Sequence, residues 1–194
     1  MRHPFLADIS EGLAERGVNT LRYQFQYMEQ GSRRPDAPKT AHAAVRAAVA
    51  TAASLQPELA LFAGGKSFGG RMTSQAHAES ALPGVRGLIF LGFPLHPPGQ
   101  PSGERGKHLF DIRDPMLFLQ GDRDEFANLD LLRSLTEKLG ARATLKLFPD
   151  ADHSFHVPAR TGRKDSEVRA EMLDVMKDWM DRVISRTPNN ERAD

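Results

Sequence analysis

The pentapeptide Gly65–Gly69 reads G-K-S-F-G, a G-x-S-x-G pattern that is uncommon by chance in a chain of 194 residues. It directly follows an apolar run and precedes a segment with helical periodicity. A serine at such a strand-to-helix turn is typical of a nucleophile, because the strained turn exposes its hydroxyl. We therefore predict Ser67 as the nucleophile and the Phe68 backbone N–H as an oxyanion donor. A Cβ at either flanking glycine is expected to collide with neighbouring backbone.

A serine nucleophile needs a neighbouring base that is itself oriented by a third group. Suitable residues follow in the chain order serine, acid, histidine. The acid lies in the turn after a predicted buried strand, where Asp124 is the first candidate and Asp122 the second. His153 follows the next predicted strand, so we predict Asp124 as the orienting acid and His153 as the base.

Each of these three residues also has a simpler interpretation. Ser67 could be the N-cap of the following helix, because serine is favoured at that position. Asp124 could cap a helix that begins near Ala127, and His153 could be an ordinary loop histidine. His153 and His156 lack a third ligand at a matching spacing, so we predict neither a metal site nor a cofactor.

A proline-rich loop over residues 93–101 follows one of the predicted strands. Prolines stiffen a loop, and loops at the carboxyl ends of strands commonly build binding sites. We predict that Phe93 and His96 contact the substrate, with a surface position as the alternative for His96.

The elements that must position these residues alternate between short apolar runs and helical patterns. We predict strands at 18–25, 58–63, 85–91, 115–120 and 143–148. We predict helices at 4–16, 37–55, 68–79, 127–139 and 165–186. Four of the strands read as buried on both faces, which predicts an α/β fold with a mostly parallel sheet and helices on both sides.

Composition places the chain among ordinary globular proteins. Residues 1–186 are predicted to form one domain, followed by a polar tail at 187–194. The net charge of +1 gives no field that would attract nucleic acid or an anionic membrane. Cysteine is absent and no apolar run reaches the length of a membrane span. We predict a cytoplasmic protein that acts on a small-molecule substrate.

The segment 64–71, G-G-K-S-F-G-G-R, resembles the signature of a small α/β-hydrolase family. This family comprises bacterial hydrolases related to the Tex30 and KANSL3 proteins and, more distantly, to dienelactone hydrolases. Further stretches that resemble it are 25–28, 33–35, 92–99, 119–124 and 152–155, so the similarity spans about 2–186. The resemblance implies a minimal α/β-hydrolase fold without a large cap domain. It also implies a triad of Ser67, Asp124 and His153, but no particular substrate.

One feature of that family is absent from this sequence. Relatives begin with a strand ending in H-G-x-G, whose loop donates the second oxyanion-hole N–H, whereas none of the seven histidines here precedes a glycine. Losing one such donor typically costs about 2.7–4 kcal/mol of transition-state stabilisation. We expect a start site assigned too far downstream to explain the absence. Otherwise the strands at 18–25 and 58–63 would pair directly or expose unpaired backbone.

The expected function is that of a serine hydrolase acting on a carboxylic ester or thioester through an acyl-enzyme. Catalytic activity is in doubt if the chain truly begins at Met1. The alternative is a non-catalytic interaction module that keeps the hydrolase fold, because some eukaryotic relatives act as scaffolds.

Overall fold

Four parallel strands form the sheet at the centre of the computed structural model, which describes residues 4–186. Their order in the sheet, β1-β2-β3-β4, is also their order along the chain. The strands are β1 (Leu61–Lys66), β2 (Val85–Leu91), β3 (Met116–Gly121) and β4 (Ala143–Phe148). Because all neighbours are parallel, the carboxyl ends of the four strands meet at one edge of the sheet.

Helices cover both faces of this sheet, as predicted from the alternation of elements. They are α1 (Pro4–Ala14), α2 (Gln26–Glu29), α3 (Pro38–Leu55), α4 (Phe68–Glu79), α5 (Leu129–Leu139) and α6 (Asp165–Arg186). One apolar core lies between the sheet and α3, α4 and α5, and the other lies between the sheet and α1 and α6. Successive β2 residues alternate between them, with Phe90 in the first core and Ile89 in the second. The α/β fold predicted from the sequence is confirmed.

The strands differ in burial according to their place in the sheet. Every residue of β3 is buried, and so is nearly every residue of β2. Residues of β1 are partly exposed, and most of β4 is too. The prediction that all four are buried on both faces therefore holds only for the two central strands, because an edge strand has a neighbour on one side only.

The predicted strand at 18–25 is wrong. These residues form no strand within the part of the chain that the structure describes, and they do not pair with β1. Instead the buried ring of Phe25 packs edge-on against Phe68 at 5.2 Å between ring centres, and against Tyr23 at 5.4 Å. The alternating aromatic residues thus reflect packing on the helical layer, which a strand pattern alone does not distinguish from sheet pairing.

Replacing Gly64 with alanine should destabilise the sheet. An added Cβ would lie 1.9 Å from the backbone oxygen of Ile89, so β1 and β2 would have to separate. Overpacking of this kind lowers the free energy of unfolding by about 1–3 kcal/mol or more. Urea denaturation measures the change. Gly103→Ala is the control, since its Cβ meets open space at a φ of −92°; equal midpoints for both variants would contradict the prediction.

Candidate active site

Ser67 lies in a strained turn between β1 and α4. Its φ of 49° and ψ of −115° are unusual for a residue with a side chain, and such strain is found mainly at functional sites. The turn is held because the Ser67 N–H donates to the backbone oxygen of Leu91, at 3.1 Å. Ser67 occupies the N-cap position of α4, yet its hydroxyl makes no capping hydrogen bond. The N-cap interpretation therefore does not account for this side chain.

The glycines that the turn requires differ in part from those predicted. A Cβ on Gly65 would lie 3.3 Å from the backbone of Gly69 and Gly70, and a Cβ on Gly70 would lie 2.7 Å from the Gly65 oxygen. A Cβ on Gly69 would meet only the Phe25 ring, at an ordinary 3.8 Å. The predicted collision is thus only a tight contact at Gly65, where the backbone would have to give by a few tenths of an ångström, and it is wrong for Gly69. Close packing of helix against strand depends on Gly70 instead.

The structure brings Ser67, His153 and Asp124 into one hydrogen-bonded chain. His153 Nε2 lies 2.8 Å from Ser67 Oγ, and His153 Nδ1 lies 2.7 Å from Asp124 Oδ2. Both contacts are satisfied when Nδ1 carries the proton and donates to the carboxylate, which leaves Nε2 to accept from the serine. The Asp124 side chain is fully buried and that of His153 is 18% exposed. This arrangement can withdraw a proton from Ser67 and hold it on the imidazole.

Asp124 is held by further donors on both carboxylate oxygens. Its Oδ1 accepts the N–H of Phe126 at 2.8 Å, and its Oδ2 accepts Gln120 Nε2 at 2.5 Å as well as the histidine. Asp122 is exposed and makes no contact with His153 among residues 4–186. Helix α5 is capped by Asn128, which accepts the N–H of Leu131, so the capping interpretation of Asp124 is wrong.

The Phe68 N–H is the first of helix α4. Nothing in residues 4–186 accepts a hydrogen bond from it, as is usual for the first N–H groups of a helix. It adjoins Ser67 directly, at the end of the helix where the dipole is positive. A negative oxygen that forms on a group bound to Ser67 would find a donor there.

Comparison of the sequence with protein families gives one match that spans most of the chain. Residues 1–181 match a family described as the alpha/beta hydrolase domain. The chain belongs to this family. Its members place the nucleophile, the acid and the base in the chain order seen here, serine, aspartate, histidine.

Solved α/β hydrolases share this fold. An α/β serine hydrolase without a lid from Xanthomonas campestris superposes with a TM-score of 0.70 at 23% identity, covering 92% of this chain and 75% of that one. An α/β serine hydrolase homologue from Coxiella burnetii superposes with a TM-score of 0.70 at 21% identity, covering 89% of this chain and 76% of that one. A dienelactone hydrolase from Anabaena variabilis gives 0.63 at 16%, covering 89% and 78%. At these identities the likeness shows the fold alone.

Gln120 in this α/β hydrolase is a site residue that the sequence did not single out. Its side chain is completely buried at the end of β3 and bonds in two directions. Its Oε1 accepts the N–H of Phe93 at 2.8 Å, which fixes the amide orientation and points the NH₂ group at Asp124. The available signal was a single polar residue at the end of an otherwise apolar buried strand.

Lys66, the residue before the nucleophile, holds the histidine loop. Its Nζ donates to the backbone oxygen of His153 at 2.6 Å and lies 4.9 and 5.4 Å from the ring centres of Phe5 and Phe155, which stack on each other. Burial lowers the pKa of Lys66, while the charges of Asp124 and Asp152 oppose that shift. The ammonium thus ties the loop that carries the base to the strand that carries the serine.

The two residues predicted to bind substrate lie inside the protein. Phe93 is 1% exposed, and its ring packs against Phe90 and Phe118 in the core. His96 is 3% exposed, with Nδ1 at 2.7 Å from the Pro97 oxygen and Nε2 at 2.6 Å from the N–H of Asn128. Both ring nitrogens are therefore engaged, and neither side chain is available to a substrate. The prediction that Phe93 and His96 contact the substrate is therefore wrong, because this part of the loop turns its side chains inward.

His156 pairs with an acidic residue. Its Nδ1 lies 2.9 Å from Asp165, and the pair raises the pKa of His156 and lowers the pKa of Asp165. Within residues 4–186 no three His, Asp or Glu side chains are grouped in a way that could hold a metal ion. No helix in the same range is both long and apolar enough to cross a bilayer. The predicted tail at 187–194 lies outside the described residues.

Proposed function

We propose that this α/β hydrolase is a serine hydrolase that cleaves a carboxylic ester or thioester through an acyl-enzyme. The observation that carries the proposal is the unbroken hydrogen-bond chain from the buried Asp124 through His153 to Ser67. It ends on a serine whose backbone is strained, beside an N–H without an acceptor in residues 4–186. These are the parts that acyl transfer needs: a base, an orienting acid, a nucleophile and an oxyanion donor.

In the acylation step, Ser67 Oγ attacks the carbonyl carbon while its proton moves to His153 Nε2. The carbonyl oxygen becomes negatively charged, and the Phe68 N–H donates to it. The buried carboxylate of Asp124 stabilises the imidazolium that forms. When the tetrahedral intermediate collapses, the bond to the alcohol or thiol breaks and the leaving group takes the proton from Nε2.

Water completes the cycle. His153 Nε2 accepts a proton from a water molecule as the water oxygen attacks the acyl carbon. The second tetrahedral intermediate expels Ser67 Oγ, which regains its proton from the imidazolium. The products are a carboxylic acid and free enzyme, and no redox partner or cofactor enters either step.

We further propose that the protein is related to the Tex30 and KANSL3 proteins, that residues 1–186 form a single domain and that the protein is cytoplasmic. We keep the ester or thioester class on the analogy of the fold.

A panel of p-nitrophenyl esters and acyl thioesters tests the proposed function. Saturable release of p-nitrophenol or free thiol by the purified protein supports it. If a folded protein turns over none of these compounds, and a Ser67→Ala protein retains its cellular role, the non-catalytic interaction module becomes the better description.

Lys66→Met should slow turnover without weakening substrate binding. The variant keeps a flexible, unbranched side chain at this position but loses the hydrogen bond that holds the His153 loop. Misplacing the base affects the chemical step, so we expect kcat to fall about tenfold while KM stays within about twofold. Steady-state kinetics on a p-nitrophenyl ester measure both.

Lys146→Met is the matched control. Lys146 pairs with Glu171 at the surface of the protein, where an ion pair contributes little. Its kcat should equal that of the wild type. Equal losses in the two variants would show that removing a lysine, not freeing the histidine loop, causes the effect.

A further inference from the structure

Two arginines without an acidic partner lie beside the serine turn. Arg71 lies in the first turn of α4, and its backbone N–H donates to the Ser67 oxygen at 3.1 Å. Side chains in a helix lean toward its N-terminus. Accordingly, the guanidinium carbon of Arg71 lies 5.8 Å from the centre of the Phe68 ring. The positive group is therefore directed back toward the serine turn.

Arg71 is half-buried and has no partner for its charge. Its Nε is inaccessible to solvent and has no hydrogen-bond acceptor within residues 4–186. Its guanidinium forms no ion pair with an acidic residue of that range, and burial lowers the pKa of Arg71. A buried donor that is left unsatisfied costs free energy, so an acceptor supplied by a bound ligand would stabilise the Arg71 side chain.

Arg105 brings a second positive charge to the same place. It belongs to the 3₁₀ helix Glu104–Asp111, which is joined to α4 through His108. The His108 Nε2 lies 2.8 Å from Ser74 Oγ, and the ring also bonds to the backbone oxygen of Arg105. The charge of Arg105 adds to the effect of burial in lowering the pKa of Arg71. The two like charges therefore repel each other, which disfavours the charged state of Arg71.

Acidic side chains of α4, of this 3₁₀ helix and of the segment that follows it pair with other groups. The pairs are Glu79 with His42, Asp114 with His77, and Glu104 with Lys107. Asp111 acts on His108 but forms no ion pair with either arginine in the described part of the chain. Burial, followed by the charge of Arg71, lowers the pKa of His108 to about 4, so this ring is neutral at pH 7. The positive charge of the two arginines remains uncompensated.

We propose that Arg71 and Arg105 bind a carboxylate on the substrate, a few bonds from the carbonyl that Ser67 attacks. This inference rests on the proposed serine-hydrolase function and narrows its substrates to esters or thioesters that carry a negative charge. A guanidinium group binds a carboxylate through two parallel hydrogen bonds. The carboxylate would supply the missing acceptors and relieve the repulsion between the arginines. The Phe68 ring, packed against Phe25 and Tyr27, would line the path between them.

Two esters of equal chain length test this inference. One is mono-p-nitrophenyl glutarate, which carries a free carboxylate, and the other is the same compound with that carboxylate methylated. The wild type should prefer the charged ester at least about tenfold in kcat/KM, the effect of one charge-assisted hydrogen bond. Arg71→Gln and Arg105→Gln should each remove most of this preference, mainly through KM, because a remote anchor binds substrate and transition state alike.

Three comparisons separate binding from a structural role. Arg71→Lys keeps the charge without the planar fork, so it should recover part of the preference. Arg133→Gln removes an exposed arginine of α5 and should leave kcat/KM unchanged for both esters. Turnover of the methylated ester should stay within about twofold of wild type in both glutamine variants. If the glutamine variants lose activity equally on both esters, or if the wild type has no preference, the inference is overturned.

A binding measurement keeps this result separate from that for the proposed function. If neither ester is hydrolysed, the panel of p-nitrophenyl esters and thioesters decides the serine-hydrolase proposal, and calorimetry with monomethyl glutarate decides the arginine site alone. Binding to the wild type that is lost in the Arg71→Gln/Arg105→Gln double variant would support the site. An absence of binding to the wild type would overturn it.

Discussion

Replacing Ser67 with alanine should abolish ester hydrolysis, with kcat falling by about 10⁶-fold. The reason is that Ser67 Oγ is the atom that would form the acyl-enzyme, and it lies 2.8 Å from the base His153. Removing the hydroxyl leaves the Phe68 N–H and the binding contacts, which accelerate hydrolysis only weakly. Initial rates of p-nitrophenyl ester hydrolysis measure the loss. Thermal melting of the same samples shows whether the fold is retained.

Ser80→Ala is the matched control for this variant. Ser80 is the exposed residue that ends helix α4, so it lies on the same helix but at the opposite end from the turn. Its kcat should equal that of the wild type. A folded Ser67→Ala protein with more than a few per cent of wild-type activity would show that another group performs the reaction.

Asp124→Asn should reduce kcat by about 10⁴-fold while leaving the fold in place. The surrounding hydrogen bonds determine how the new amide sits. The Phe126 N–H donates to Oδ1 and therefore retains an oxygen at that position. In that orientation the asparagine NH₂ takes the place of Oδ2, where it faces His153 Nδ1. The imidazole would have to accept at Nδ1 and carry its proton on Nε2, so it could no longer accept the proton of Ser67.

Gln120 makes either orientation of the new amide unfavourable. Its NH₂ group also points at Oδ2 and is held there because its Oε1 accepts the N–H of Phe93, so an asparagine NH₂ at Oδ2 would face a second donor. The reverse orientation would set the asparagine NH₂ against the Phe126 N–H. Asp122→Asn is the control, since Asp122 is exposed, and its kcat should stay within about twofold of wild type. A large loss in Asp122→Asn with full activity in Asp124→Asn would reverse the assignment of the acid.

The positions of Ser67, Asp124 and His153 could be predicted because the chain places each of them after a strand of the sheet. Parallel strands share one carboxyl edge, so residues far apart in sequence meet there. In the structure His153 Nδ1 lies 2.7 Å from Asp124 Oδ2, and His153 Nε2 lies 2.8 Å from Ser67 Oγ. Helix periodicity predicted residues 165–186 as a helix, which are the bounds that α6 has in the structure.

Predictions from local patterns failed where packing decides the outcome. The aromatic residues at 18–25 have strand character, but their rings pack on Phe68 and the backbone finds no partner strand within residues 4–186. Phe93 and His96 lie in a loop of the expected composition, yet both side chains are inside the protein. The Phe93 N–H donates to Gln120 Oε1, and His96 Nε2 accepts the N–H of Asn128, which fixes the loop in this position. A sequence pattern indicates where a loop lies, but not which way its side chains point.

The contacts that hold the site in place could not be predicted from the sequence either. Lys66 and Gln120 stand inside recognised motifs, but each bonds to a residue of another segment, the first to His153 and the second to Phe93. The effect of the Arg105 charge on Arg71 likewise depends on a 3₁₀ helix that is distant in sequence from α4. Such contacts follow from the tertiary arrangement of loops, which no local periodicity encodes.

Covalent labelling with a fluorophosphonate probe tests the central claim, that Ser67 is an activated nucleophile, most directly. The purified protein is treated with the probe, weighed by intact mass spectrometry and digested to locate the adduct. We expect one adduct per chain on Ser67, and none in Ser67→Ala or after unfolding. A folded protein that acquires no adduct, or one that carries it on a different serine, would contradict the assignment.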